Sequence, residues 1–379
     1  WAERGLLATW GCAVALSYHV DVRFFLGEEI TPTEVSKCGA MLSWAIERHP
    51  GSIIFGLFQA NLSSMQAKND EALAWIDKCA ENIHKAPALG LVIHSQRAKF
   101  AALGRRWEQA AAAFDTAADV NMGVKRRAMV PTFSFAAALC YMQAGDATTA
   151  EARLRRVSEY SESNKKNWPN SDKQSFRKAK LYLGEGLTSP TLGLPLLLDM
   201  LEFLEIKLHA LRRMSSDGLL YYLERVDAEP ASPPSASVEA RRTRFSAEIA
   251  RLLKRPTDEV ISRLDSAGAA LAKCADKALL EEAAKDGTEA LIQYSLAEVR
   301  FAQGDLEAAR VCCRTMQRLA WKADFCVNLA FKAHNLQQRA CRPSPFLPAK
   351  PTADCKGTKL TGWNDMGRGW LRCCRRRRL

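Results

Sequence analysis

Hydrophobic residues recur along most of this chain at the spacing of an amphipathic α-helix. In residues 51–81, apolar positions fall on one face of each of two segments, and a polar turn separates the two. Strands alternate apolar and polar residues and are rich in Val and Ile, and that pattern is nearly absent. The sequence therefore predicts an all-α fold built from helical hairpins.

The hairpin of residues 51–81 has further copies along the chain. A small residue opens the second helix of each predicted hairpin, and an apolar residue follows four positions later, as Ile76 follows Ala72. Hairpins of this tetratricopeptide type cannot bury their apolar faces alone, so they stack into an α-solenoid. The residues that we expect where paired helices touch are Ala60, Ala72, Ala110, Ala150 and Ala309.

The turns between the paired helices also repeat. Residues 143–146 read Gln-Ala-Gly-Asp, and residues 302–305 read Ala-Gln-Gly-Asp. We expect Gly304 to adopt the left-handed conformation that ends a helix, and Asp305 to cap the next one. A weaker copy spans residues 242–271, with Val260 at the position of the small residue.

Composition divides the chain into five predicted parts. An N-terminal repeat array covers residues 1–158, a less regular helical middle 159–228, a Pro- and Ser-rich linker 229–237, a C-terminal array 238–340, and a basic tail 341–379 that we expect to be disordered. Residues 196–204 are almost wholly apolar, so we expect them to be buried between the arrays. A helix lying on a membrane is the alternative.

The formal net charge of +12 is concentrated in the tail. Residues 375–378 are four consecutive arginines, whereas the helical body is nearly balanced, so binding to a polyanion would depend on the tail. Attachment to an anionic membrane through the tail is one alternative function, and the paired Cys373 and Cys374 are a weak palmitoylation signal. An RNA-binding array is less favoured, because no code of one base per repeat is visible.

The sequence contains no motif that indicates catalysis. The twelve cysteines form no Cys-x-x-Cys pair, and the histidines are scattered without a second ligand at helical spacing. We expect no enzyme activity, catalytic residue, cofactor or metal site, and we expect reduced thiols. No segment has the apolar length of a membrane span, and residues 5–20 are predicted as a buried first helix.

Recognition is the remaining capability. The first helices of stacked hairpins line the concave inner wall of a solenoid, where a protein or peptide partner can bind. The repeat register places a small set of side chains on that wall. These candidates are Asn61, Ser64, Lys99, Gln143, Glu298 and Phe301. Core-facing or solvated helix positions are the alternative for each of them.

Several segments occur in an order that is similar to one family. They are Ile46-Glu-Arg-His-Pro-Gly-Ser-Ile-Ile-Phe55, Lys68-Asn-Asp-Glu-Ala72, Arg106-Trp-Glu-Gln-Ala110, Phe176-Arg-Lys-Ala179, Leu194-Pro-Leu196 and Ala302-Gln-Gly-Asp-Leu-Glu-Ala-Ala309. Residues 5–340 thereby resemble tetratricopeptide repeat protein 39 and the fungal inclusion-body clearance proteins, once labelled mitochondrial outer membrane proteins. The tail has no counterpart there.

This resemblance implies a cytoplasmic adaptor that binds proteins. It links the chain to lipid droplets, inclusion clearance or lipid homeostasis, with a location in the cytoplasm or peripheral to a lipid droplet or the mitochondrial outer membrane. The identity of the partner does not follow from it.

Overall fold

The computed structural model describes residues 2–26, 28–123, 129–162, 170–228, 234–320 and 326–341, and every regular element in these ranges is helical. The predicted all-α class is confirmed. The tail beyond residue 341, with Cys373 and Cys374, and linker positions 229–233 lie outside the described residues.

The α-helices are α1 (Ala2–Phe25), α2 (Pro32–Arg48), α3 (Ile53–Met65), α4 (Asn69–Glu81), α5 (Gly90–Leu103), α6 (Trp107–Gly123), α7 (Val130–Ala144), α8 (Ala147–Glu162), α9 (Asn170–Glu185), α10 (Gly193–Glu202), α11 (Ser216–Asp227), α12 (Ala236–Leu252), α13 (Thr257–Ala272), α14 (Lys277–Lys285), α15 (Thr288–Ala302), α16 (Leu306–Ala320) and α17 (Cys326–Cys341).

Five hairpins share one turn geometry: α3–α4, α5–α6, α7–α8, α12–α13 and α15–α16. In each turn, one residue has a positive φ, and the next N–H donates to the carbonyl five residues earlier, as Asp146 N does to Tyr141 O at 2.9 Å. This is the Schellman end of a helix. The predicted roles of Gly304 (φ +80°) and Asp305, whose Oδ1 accepts from Ala308 N at 3.1 Å, are confirmed. The left-handed residues are Ala67, Arg105, Gly145, Lys254 and Gly304.

The small residues of the predicted register lie inside the hairpins. Ala72 N donates to Lys68 O at 3.0 Å, and the equivalent bond recurs at Ala110, Ala150 and Ala309. These four alanines and Ala60 have no exposed surface. Helices α3 and α4 approach so closely that a Cβ added to Gly56 would lie 2.4 Å from Cys79 Sγ. Small side chains are therefore a steric requirement of the hairpin.

Helix α10 lies in the centre of the molecule. Its apolar residues are buried, as are Phe203 and Leu204 after it, and it contacts both α7 and α12. The predicted burial of residues 196–204 is confirmed, and it accounts for a stretch in which only Asp199 and Glu202 are not apolar. One apolar core runs from Ile53 on α3 to Ile249 on α12. The division of the chain into five parts stays a prediction from the sequence.

The C-terminal helix reaches back to the N-terminal one. Asn335 Nδ2 on α17 donates to Leu26 O just after α1 at 3.5 Å, and Lys332 Nζ lies 5.9 Å from the centre of the Phe25 ring. The two ends of the helical array therefore meet. Within the described part of the chain, no helix has the length and apolar character needed to cross a membrane.

Candidate functional site: the filled inner wall

The inner wall is the face formed by α1, α3, α5 and α7, the first helices of the N-terminal hairpins. The structure places two of its predicted binding residues in the interior. Ser64 is fully buried, and its hydroxyl pairs with Asn69 Oδ1 at 3.3 Å. Lys99 is only 6% exposed. Neither side chain faces an open surface, so both occupy core-facing positions, the alternative given for each candidate.

A distant part of the same chain covers this wall. Arg213, in a short 3-10 turn (Leu211–Arg213), donates from Nη1 to Asn61 O at 3.2 Å and from Nη2 to Asp21 Oδ1 at 3.0 Å. Asn69 Nδ2 in turn donates to Arg213 O at 3.4 Å. Arg212 Nη1 donates to Phe24 O at 3.2 Å. The backbone carbonyl of the half-buried Asn61 therefore already accepts a hydrogen bond from a distant segment of the same chain.

The wall is covered in the same way further along. Gln143 Oε1, at the end of α7, accepts from Arg225 Nη1 of α11 at 2.8 Å. Arg225 also donates to the Tyr221 hydroxyl at 2.9 Å, and the Arg105 guanidinium lies 4.9 Å from the Tyr221 ring centre. Helix α11 thus occupies the place in which a bound partner would lie against Gln143.

The two candidates in the C-terminal array also have internal partners. Glu298 Oε1 accepts from the Tyr294 hydroxyl at 2.7 Å, and Glu298 Oε2 lies 2.9 Å from Arg251 Nη2. The Arg339 guanidinium lies 4.8 Å from the centre of the Phe301 ring. The repeat register found the helices of the inner face, but it could not show which distant segment lies on them.

Lys99 is electrostatically unusual. Among the described residues, its ammonium group has no hydrogen-bond or ion-pair partner, and Nζ lies 5.3 Å from the centre of the Phe100 ring. Burial and the neighbouring charge of Arg213 lower the pKa of Lys99 well below its usual value, against the opposing effect of Asp21. The interior therefore contains a cation whose charged form is destabilised.

A buried stripe of charge joins α10 to α12. Arg241 Nη2 donates to Asp199 Oδ1 at 2.5 Å and to Glu202 Oε2 at 2.9 Å. Three residues later, Arg244 forms a two-pronged pair with Glu205, with distances of 2.6 and 3.1 Å. We call these five residues the charge zipper. The zipper was not predicted from the sequence, although Arg241 and Arg244 recur at helical spacing along α12.

Helix α9 extends the zipper to the turn before α15. Lys178 Nζ bonds to Asp199 Oδ1 at 2.8 Å and lies 3.6 Å from Asp286 Oδ2, while the Tyr182 hydroxyl donates to Asp199. Burial acts to lower the pKa of Lys178, but Asp199, Asp286 and Glu202 outweigh it and raise that pKa. The pairing therefore keeps the lysine charged inside the protein.

The chemistry available at the zipper is limited. A cavity of about 20 Å³ lies beside it, lined in part by Thr132, Gln174 and Lys178, which is room for one water molecule. The carboxylates here already accept bonds from lysine or arginine, so none is free to take a proton from a substrate. Over the described ranges, no group of His, Cys, Asp and Glu could hold a metal ion.

The open grooves in the described part of the chain include two on the outside. One, of about 720 Å³, lies between α2, α3 and the start of α4, with Val35, Ala40, Leu62 and Met65 among its lining residues. The other, of about 570 Å³, follows α13 past Asp258 and Asp265 to Arg300 of α15. Both are wide enough for side chains of another protein, unlike the small cavity at the zipper.

Comparison with known proteins gives a family for the N-terminal half. A family model described as Iml2/Tetratricopeptide repeat protein 39 matches residues 2–192, just over half of the 379-residue chain. No curated protein gives a significant match.

Two solved structures are similar at low sequence identity. A tetratricopeptide repeat protein from Parabacteroides merdae is 11% identical, and the match covers 86% of this chain and 100% of that one, with a TM-score of 0.34. A structure of Naa15/Naa10 bound to HypK-THB is 14% identical over 97% of this chain and 69% of that one, with a TM-score of 0.32. At these scores, neither supports an argument about arrangement or binding.

Proposed function

Since the chain belongs to the Iml2/Tetratricopeptide repeat protein 39 family, we propose that it is a non-catalytic scaffold that binds a protein or peptide partner. A stack of helical hairpins offers long surfaces for contact with other proteins. The cations paired with the buried carboxylates of the zipper argue against acid–base chemistry there. A role in recognition fits these features better than a role in catalysis.

The observation that carries this proposal is the division between a filled inside and an open outside. Arg213 and Arg225 occupy the inner wall, whereas the groove beside Ala40 is open. We call residues 211–227, which contain Arg213 and Arg225, the inner segment. Removing the inner segment would expose an apolar core that includes Leu198, Leu201 and Leu204. At about 25 cal/mol per Å² of apolar surface, that exposure would cost more than a peptide contact usually returns. We therefore propose that the partner contacts the outer surface.

Family resemblance supports a more specific setting for this scaffold. It suggests a cytoplasmic adaptor, at lipid droplets or on the outer face of mitochondria, that serves inclusion clearance or lipid homeostasis. These assignments are part of the proposal and are tested separately from partner binding.

The experiment has two stages. Proximity labelling with the full chain and with a version ending at Ala340 identifies neighbours and compartment. A purified neighbour is then titrated against the parent protein, against Ala40→Arg in the groove and against Ala112→Arg on the exposed face of α6. We expect direct binding that at least one outer substitution weakens tenfold or more. The proposal is wrong if no neighbour binds directly, or if binding depends only on variants of the inner wall such as Arg225→Ala.

A further inference from the structure

We propose that the charge zipper sets the register in which the C-terminal array docks on the middle of the molecule. The zipper residues are almost entirely inside the protein: the side chains of Asp199 and Arg244 are each 1% exposed. Ion pairs in such a place are often replaceable by apolar residues without loss of stability, so stability alone does not explain them. Selection of one docking arrangement among several does explain these ion pairs.

The apolar contacts between α10 and α12 do not define a unique register. On α10, almost every residue from 196 to 204 is apolar, so any part of that stretch can serve as a packing surface. On α12 and at its C-terminal cap, Phe245, Ile249 and Leu253 recur every four residues. A displacement of α12 by one helical turn, about 5.4 Å, would bring one of these side chains to the place of the next. Packing would be largely conserved.

The charges do define a unique register. If α12 moved so that each residue took the place of the one four positions before it, Phe245 would face the Asp199–Glu202 pair and Glu248 would face Glu205. Asp199 and Glu202 would lose Arg241 and share Lys178 as their one remaining cation among the zipper contacts, and Glu205 would meet another carboxylate. A displacement in the opposite direction would bring Ser237 and Ala240 to these positions, so that Glu205 loses Arg244 while Asp199 and Glu202 lose Arg241 and keep Lys178. Uncompensated buried charge makes both alternatives unfavourable.

Helix α9 fixes the same register from a second direction. Gln174 Nε2 donates to Glu202 Oε1 at 2.8 Å and to Asp286 Oδ1 at 3.2 Å, and Arg177 Nη2 donates to Asp286 Oδ1 at 2.9 Å. Asp286 directly precedes Gly287, which adopts φ +68° at the start of α15. The array is thus held at α12 and at α15, and movement of either helix breaks charged contacts.

The test uses spin labels on unnatural amino acids, so that the native cysteines are not labelled. One pair, at the exposed positions Leu181 on α9 and Ser262 on α13, reports the placement of the C-terminal array. A second pair, at Leu181 and Glu108 on α6, reports the placement of α9 against the N-terminal array. The distance distributions of the parent protein should each have one narrow peak.

Two charge-neutral variants remove the zipper in steps. The first is Asp199→Leu with Arg241→Met, and the second adds Lys178→Met, Glu202→Leu, Tyr182→Phe, Arg244→Met and Glu205→Leu. We expect both to stay helical and folded. The distribution for the pair at 181 and 262 should broaden or gain a second peak shifted by about 5 Å, one helical turn. The control substitutes the exposed ion pair, Asp119→Leu with Arg156→Met, and should change neither distribution.

Each result decides the proposal. A single parent-like peak in the second variant would overturn it, because the register would then be set without the charges. Unfolding of both variants would also overturn it, because the charges would then be needed for stability. Broadening of both label pairs would indicate general loosening and count against a role in docking.

Discussion

Arg213 and Asp21 lie 192 residues apart, yet the Arg213 guanidinium donates to the Asp21 carboxylate at 3.0 Å. This pair fixes the inner segment to α1. Since Arg213 is 3% exposed and also bonds to Asn61 O, its loss leaves a carbonyl group in the interior without its donor.

We therefore expect Arg213→Met to reduce the free energy of unfolding by about 1–3 kcal/mol, as measured by urea denaturation. The exposed Arg155→Met, which removes an i,i+4 pair on α8, should cost well under 1 kcal/mol. Equal losses in the two variants would contradict the structural role of Arg213.

Lys99→Met should change the free energy of unfolding in the opposite direction and stabilise the protein. The substitution removes a buried ammonium group that has no hydrogen-bond or ion-pair partner among the described residues, and it keeps the unbranched apolar part of the side chain. We expect a gain in unfolding free energy of about 1–3 kcal/mol at neutral pH, seen as a higher melting temperature. Lys37→Met, on the exposed face of α2, should change little. A lower melting temperature for Lys99→Met would mean that the ammonium group is stabilised in place.

The left-handed turns predict a stabilising substitution to glycine. Lys254 has φ +57°, a conformation that costs an L-residue about 1–2 kcal/mol and glycine almost nothing. Lys254→Gly should therefore raise the melting temperature. Lys273→Gly is the matched control, because Lys273 ends α13 at φ −81° and gains nothing there from glycine. If both substitutions lower the melting temperature, the shared turn is not formed at Lys254.

The hairpin contacts predict a steric effect. Ala72→Phe and Ala150→Phe place a ring where paired helices touch, so each should cost about 1–3 kcal/mol and lower the melting temperature. Ala112→Phe makes the same exchange on the exposed side of α6 and should be nearly neutral. Melting of all three variants at the parent temperature would refute the repeat register.

The hydrogen bonds of Glu34 at the start of α2 predict that the stability of the protein falls in acid. Bonds from the Thr31 backbone and hydroxyl, with one from Arg23, lower the pKa of Glu34 to about 2 from an ordinary 4.5. Because the folded pKa is depressed, this stabilisation is complete above pH 4.5 and is lost as the pH falls towards 2. The melting temperature of Glu34→Gln should therefore lie below that of the parent at pH 6 and converge with it near pH 2. A constant difference across this range would be inconsistent with the capping role.

The sequence predicted what local patterns determine. Helical periodicity, the alanines of the hairpins and the Gly-Asp turns at 145 and 304 all depend on neighbours within a few residues. In three of the five turns the left-handed residue was not visible, since Ala67, Arg105 and Lys254 adopt a backbone conformation usually given to glycine.

The rest could not be predicted, because it depends on contacts between distant segments. Nothing in the residues around Asn61 indicates that Arg213 lies on them, and the charges of α12 gain meaning only beside α10. The roles of Gln143, Glu298 and Phe301 in binding a partner stay a prediction.

The contact between Asn335 on α17 and Leu26 after α1 also affects how the chain folds. In an open array of repeats, each unit touches only its neighbours, and folding can begin anywhere and spread. Here the first and last helices must meet while the segment around Arg213 is enclosed, so large loops close before many native contacts form. Closure over such sequence distances is entropically costly and slow. Loss of an end repeat would therefore weaken the whole molecule, not just one end of it.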